Sequence, residues 1–483
     1  MGAAPQASAP PVGPMPQNGA SPGAPSSNAQ ALQDIDAALA ALETKSREYE
    51  ANGAAAEPLE KSLKALRAVR PALEKPGVKA PALKTFLAAV NKALAAVKAD
   101  TDRQENAEGA GDDKAITALH DTAADLIKAI TGDAKKPLDV RLAKLASLIQ
   151  SVGAATDPAK QAGLRKQADT DAQALIDAAG EASGAAGKQK IQDAYKKALT
   201  EKYGITLGGK GGKNVNDDMH YDLLFKAFEM VPVGQSMQAT MKDLSYAPRL
   251  DKKSKSGEGI GLFTGNGIEI GKIGALSESE YVNPKTGKPE KVNSFSITVL
   301  HELGHSVDTR WGIMQKYKSQ KGAGSWSTIK VGTLATQVAT GHAAAMKGLM
   351  DDDAVHAAVL NLMTTHDMGD APEGVTPDAW KKLTHLLANW TKLLKAKYAF
   401  TAQVYYNDLG YIPHGSGVWE TYSATERKSL GVTGYQWNAS PEWFAELYAT
   451  CWYNKTPPSD AIHAGVRAYL PQKGGAASAG APA

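Results

Sequence analysis

The chain has 483 residues, room for two or three domains at roughly 150 residues each. It is 43% hydrophobic and 22% charged, as water-soluble globular proteins are, and 54 basic against 51 acidic residues leave a net charge of only +3, which gives no reason to expect a nucleic-acid or membrane-surface partner. Its single cysteine, Cys451, excludes an internal disulfide and every thiolate zinc cluster, so any metal must be held by His, Asp or Glu.

Residues 1–30 contain seven Pro, seven Ala, four Gly and four Ser and no charged side chain, a composition that predicts a disordered leader. It lacks the positive start and continuous apolar core of a Sec signal peptide, and no segment further on approaches the roughly eighteen apolar residues of a membrane span. From 31 to 202 the composition shifts to Ala, Lys, Asp, Glu and Leu, with Tyr49, Phe86 and Tyr195 as the aromatics of the first 200 positions. Apolar residues recur at three and four: Leu32, Ile35, Leu39 and Leu42, then Leu59, Leu63 and Leu66, then Leu83, Phe86, Val90, Leu94 and Val97. These are amphipathic helix stripes, broken by Pro81, Pro137 and the Gly-rich stretch at Gly184 into about six helices of a bundle. The Leu stripes read as core packing.

Gly208–Lys213 resembles a phosphate loop only superficially, for it lacks the required spacing and a preceding buried strand, and reads as a flexible linker. Beyond it lie all eight tryptophans and nine of the ten histidines, so the dense core and the chemistry are expected there. Short β-branched runs between Gly259 and Ile273 predict a twisted hairpin. Helices are expected over Ser296–Arg310, Gly332–Met350, Asp378–Asn407 and Pro441–Tyr453, and residues 473–483 read as a flexible tail. The fold class is therefore mainly α, an N-terminal helical bundle followed by an α+β domain over 203–472 with a small twisted sheet.

His301-Glu302-Leu303-Gly304-His305 is a His-Glu-x-x-His motif on a predicted helix. Residues four apart share one helix face, so two imidazoles can converge on one tetrahedral ion while Glu302 points about a quarter turn away, toward the position of a metal-bound water. A third ligand is needed. The metzincin extension fails, because Asp308 and Trp311 stand where Gly and His are required. The remaining place is Ser440-Pro441-Glu442-Trp443-Phe444-Ala445-Glu446, where Ser440 suits an N-cap, Pro441 the first turn, and two carboxylates follow four apart. Either Glu442 or Glu446 can bind metal while the other accepts a ring proton from a ligating histidine.

The run His301-Glu302-Leu303-Gly304-His305-Ser306-Val307-Asp308, followed downstream by Tyr435 and then Glu442-Trp443-Phe444-Ala445-Glu446, resembles the gluzincin metallopeptidases typified by anthrax lethal factor and the clostridial Pro-Pro endopeptidases. That resemblance implies a zincin-type metallopeptidase domain with zinc held by His301, His305 and Glu442, Glu302 as general base, Tyr435 at the oxyanion or leaving group, and Glu446 and Asp308 behind the ligands. It implies an endopeptidase acting on a protein or peptide substrate. One departure stands out: 136 residues separate His305 from Glu442, so a large helical insertion is expected at about 313–430.

His342, His356, His366 and His385 share no ligand spacing and read as structural, while His414 is a candidate for the cleft and Tyr422 competes with Tyr435 for the oxyanion. Relatives of the lethal-factor type are secreted or delivered bacterial proteins, which makes the leader an expected signal for a secretion or injection apparatus. A cytoplasmic peptidase explains the missing Sec signal equally well. The competing reading is a helical adaptor whose C-terminal domain keeps a structural or inactive metal site.

Overall fold

The computed structural model describes residues 27–51, 57–74, 78–207, 220–232, 235, 243–246, 261–265, 267–271, 278–283, 288–396, 401–414 and 417–472. Most of the leader, the Gly208–Lys213 run and the tail after Gln472 lie outside them. The protein is mainly helical with small sheets. Among the described residues, no helix is long and apolar enough to cross a membrane.

The chain divides into two compact units, one drawn from residues up to Ser46 and from Ala56–Ala99, the other comprising Arg47–Ala55 and everything from Asp100 onward. In the first, helices Ser27–Ala51 and Glu57–Val69 and the start of helix Ala80–Ala129 bury Ile35, Leu39, Leu42, Leu63, Leu83, Phe86, Val90 and Val97 from the predicted stripes, while Leu32, Leu66 and Leu94 are half-buried. Arg70 grips Asp36 through two hydrogen bonds of 2.6 and 2.7 Å.

The second unit begins within the same long helix and continues through helices Lys135–Ala154 and Pro158–Tyr203. Pro81 and Pro137 fall in first turns, where proline costs no hydrogen bond, and Asp157 caps the third helix by accepting from Lys160 N at 2.6 Å. Gly184, at φ +65° and ψ −147°, interrupts that helix. One hydrophobic core runs from Ala115 to Leu470, so the later Ala-rich helices pack with the histidine-rich region. The compact division thus falls near residue 100 and not at the change of composition near 202.

At one point this core holds charge. Lys202, 6% exposed in its side chain, lies 2.6 Å from Glu229, 2.8 Å from Asp112 and 3.7 Å from Asp169, while Tyr203 donates its hydroxyl proton to Glu229. Burial, reinforced by Glu229, pushes Asp169 up to about 7. An acid raised in the folded state stabilises most below its unfolded value of 3.8, and that stability is lost as pH rises through about 7. Asp169→Asn is expected to flatten this slope, so its melting temperature relative to wild type will rise between about pH 5 and about pH 8. Scanning calorimetry at both values reads the difference.

Four strands form a sheet in the order β1 (Thr206–Leu207), β2 (Asp243–Tyr246), β4 (Gly267–Ile270), β3 (Gly261–Phe263). The β1–β2 and β2–β4 pairs are parallel, and β3 closes antiparallel on β4 through the expected hairpin, with Thr264 N bonded to Gly267 O at 2.8 Å. A separate hairpin, β5 (Glu278–Val282) with β6 (Pro289–Asn293), leads into the motif helix Ser294–Trp311. Asn293 caps that helix, accepting from Ser296 N at 3.0 Å, and Gly312 ends it at φ +59°. Fourteen of its eighteen residues are buried, so it is a core element.

The insertion is not purely helical. Helices Val331–Met346, Asp352–Thr365, Pro377–Leu386 and Ala388–Lys395 lie against an antiparallel sheet in the order β7 (Ser327–Lys330), β10 (Val418–Ser423), β9 (Leu409–Pro413), β8 (Tyr405–Tyr406). The single helix expected over Asp378–Asn407 is broken at Leu387, where ψ is 4°, and stops at Lys395. The strands are short aromatic and β-branched runs such as Val418-Trp419-Glu420-Thr421-Tyr422, which fit a sheet between two apolar layers. This module has its own core, around Leu334, Val359, Leu383, Trp390 and Trp419.

Candidate metal centre

The motif helix and helix Ser440–Tyr453 cross with almost no gap. A Cβ on Gly304 would stand 2.9 Å from Ala445 Cα, so only glycine lets the two backbones meet there. His301 and His305 lie within one turn of that crossing on one helix, and Glu442 one turn before it on the other. The second helix starts one residue earlier than expected: Ala439 is its N-cap and makes no side-chain bond, while Ser440 is already helical.

His301 Nε2, His305 Nε2 and Glu442 Oε2 converge. The two nitrogens are 3.1 Å apart, and the oxygen lies 3.1 Å from His301 and 3.4 Å from His305. Donors placed about 2.0–2.1 Å from a tetrahedral zinc ion stand about 3.3 Å from one another, so this triangle has the size of a zinc site. Glu442 Oε2 is buried and receives no aligned hydrogen bond. Burial alone would raise the Glu442 carboxyl, but the two imidazoles hold it far below the ordinary carboxylate range. In the same way burial opposes a charge on His301, yet Glu442 and Glu446 raise its affinity for a proton well above the usual value. Two carboxylates around a buried imidazole favour positive charge at this spot, whether on the protonated ring or on a bound ion.

Glu446 sits on the other side of the His301 ring, with Oε1 2.8 Å from Nδ1, close enough to attract a proton there although the contact is not aligned as a hydrogen bond. Its second oxygen accepts from Thr433 Oγ1 at 2.6 Å, which ties the loop before Tyr435 to the histidine. A carboxylate so placed favours the tautomer that leaves Nε2 free to ligate. Tyr435 opens the short 3-10 turn Tyr435–Trp437, and its ring centroid is 6.0 Å from that of His301.

Glu302 is 6% exposed. Burial raises its carboxyl, the two imidazoles pull it back, and a hydrogen bond from the Phe263 amide stabilises its charge. Strand β3, the edge of its sheet among the described residues, passes directly over it: a Cβ on Gly261 would lie 3.0 Å from Glu302 Cγ and 2.5 Å from Thr298 Cγ2. Glycine at 261 therefore lets a strand edge approach Glu302, a relation between residues 41 positions apart that no local pattern announces.

Asp308 lies close enough to His305 for the imidazole to act on its charge. Its Oδ1 accepts from Met314 N at 2.7 Å, holding the turn after the motif helix. Tyr422 is 1% exposed, and its hydroxyl accepts from Arg427 Nη1 at 2.9 Å. His414 is exposed at the β9–β10 turn, its amide bonded to Val418 O. His356 contacts Thr336 Oγ1, and His366 caps a helix end at φ +66°. Among the described residues, His301, His305 and Glu442 form the one cluster of three such side chains able to hold a metal ion. Cys451 is fully buried, which pushes its thiol up and keeps it protonated.

Gly304→Ala is expected to separate the two helices by several tenths of an ångström and, if the triangle holds zinc, to weaken its binding roughly tenfold or more, because Glu442 must span the added gap. Competition with a chromogenic chelator measures it. Comparison of the chain with models of known protein families, with curated proteins and with solved structures found no match.

Proposed function

We propose that the protein is a zinc-dependent endopeptidase of the gluzincin type that hydrolyses a peptide bond in a protein substrate. The observation that carries this reading is the His301–His305–Glu442 triangle with a buried carboxylate, Glu302, next to it on the same helix. His301, His305 and Glu442 would hold the ion, leaving a fourth position for water or substrate. A bound zinc ion supplies Lewis acidity, lowering the pKa of water and polarising a carbonyl.

The protein's own groups do the rest. Glu302, its carboxyl raised by burial, accepts the proton of the attacking water and returns it to the departing nitrogen. Tyr435 donates a hydrogen bond to the carbonyl oxygen as negative charge develops there. The edge strand β3 offers main-chain groups along which an extended peptide can pair, bringing a scissile bond beside Glu302. This favours a polypeptide over a compact small molecule.

Zinc analysis followed by a cleavage screen on a randomised fluorogenic peptide library tests the reading. One zinc per chain with hydrolysis is the expected result. Zinc without any cleavage would favour the adaptor reading, and no zinc would overturn the centre itself.

A further inference from the structure

We propose that Trp437 is a positioning residue for Tyr435, and that the inserted module acts on the metal centre through it; this rests on the reading of Tyr435 as the oxyanion donor.

Tyr435 and Trp437 are the two ends of a single 3-10 turn, closed by Trp437 N to Gly434 O at 3.3 Å and Asn438 N to Tyr435 O at 3.0 Å. In so short a turn the backbone of one end cannot rotate without the other. Tyr435 lies beside His301, whereas Trp437 is 1% exposed and enclosed by aromatic rings. Trp326 stacks on it at 5.9 Å and 17°, Tyr422 lies at 4.9 Å, and Trp443, the neighbour of Glu442, meets it edge-on at 6.4 Å and 77°.

Two of those rings are the roots of the module. Trp326 immediately precedes β7 and Tyr422 is the penultimate residue of β10, and these strands pair with Thr421 opposite Ser327. Trp326 and Tyr422 are themselves 5.2 Å apart. Arg427 clasps the cluster, its guanidinium 5.7 Å from the Tyr422 ring and 5.9 Å from the Trp437 ring.

The module's sheet is one layer thick at this point. Tyr411 and Trp419 belong to the module's core, while Ile412 and Tyr422, pointing the other way, belong to the main core. Helices of the module therefore press on one face of the sheet and the cluster on the other. Close-packed aromatic rings transmit a shift of the sheet to Trp437 instead of absorbing it. A cluster that merely glued the module to the body would have no need to include the turn that carries Tyr435.

The test is a set of double-mutant cycles on the zinc-loaded full chain, with the best-cleaved member of the fluorogenic library as substrate. Trp326→Leu, at the root of the module, is expected to lower kcat about tenfold with KM and zinc content unchanged. Arg427→Met, which leaves every ring in place, is expected to do the same to a smaller extent and covers the case in which Trp326→Leu fails to fold. In a Tyr435→Phe background neither change should lower kcat further. Equal losses in both backgrounds, an unchanged kcat in the single variants, or loss of zinc would overturn the proposal. If Tyr435→Phe alone leaves kcat unchanged, the Tyr435 reading falls first and takes the proposal with it; an impaired Tyr435→Phe with equal losses in both backgrounds overturns the proposal and leaves the Tyr435 reading standing.

Discussion

Glu302→Gln is expected to keep one zinc per chain and to lose about 10³-fold in kcat. The substitution is isosteric, which matters here because Gly261 leaves little free space over the side chain and a larger residue would displace β3. Glutamine can still accept from the Phe263 amide through its carbonyl oxygen, so the strand and helix keep their contact. What disappears is the ability to take a proton. None of the three ligands is altered, and Gln adds no charge near the triangle, so metal content should match wild type. Zinc analysis alongside hydrolysis of the fluorogenic peptides separates the two quantities. Wild-type activity in this variant would show that proton transfer does not run through Glu302.

The parts of the fold that follow from local periodicity were legible. Ile35, Leu39 and Leu42 are buried at the spacing that marks them in the sequence, as are Leu83, Phe86, Val90 and Val97. The motif helix was legible for a different reason: four-residue spacing of two imidazoles has meaning only on a helix, and the structure extends that helix by two residues toward its N-terminus and one at the other end. The strands β8 to β10 were not, because an apolar run of five or six residues suits a buried strand and a helix segment equally well. Nor was the division near residue 100. Helix Ala80–Ala129 runs across it, and the lapse of its apolar stripe between Val97 and Ile116, over the charged run Asp100–Lys114, reads as a solvated helix face and not as a change of packing partner.

At the candidate centre the limit is long-range packing. The motif names His301 and His305, but the relations that complete the geometry join residues far apart in sequence: Gly304 against Ala445, Gly261 against Glu302, Trp326 against Trp437. Each depends on a small or flat side chain whose local context is unremarkable. Tyr422, the competitor of Tyr435 in the sequence, is buried against Gly410, where a Cβ would stand 2.2 Å from its ring carbon, and binds Arg427.

Glu442→Gln and Glu446→Gln are expected to affect zinc very differently, although the two carboxylates are one helical turn apart. Glu446 lies 2.8 Å from His301 Nδ1, on the far side of the ring from the nitrogen that faces His305. An oxygen there cannot also reach the point between the two Nε2 atoms. Glu442 Oε2 reaches both, at 3.1 and 3.4 Å, and has no hydrogen bond to give up when an ion arrives. Replacing Glu446 removes only the carboxylate beside His301 Nδ1, a loss expected to cost roughly 10- to 100-fold in metal affinity. Its bond from Thr433 can survive in the amide, so the loop before Tyr435 keeps an anchor. Replacing Glu442 removes the proposed ligand and its negative charge from the triangle, and the loss should exceed that of Glu446→Gln by at least about tenfold. Competition with a chelator of known affinity, at one pH for both variants, gives the order. If Glu446→Gln proves the more damaging, the ligand assignment must be exchanged, and the helix must slide by about one turn, roughly 6 Å along its axis, from the arrangement that brings Gly304 against Ala445.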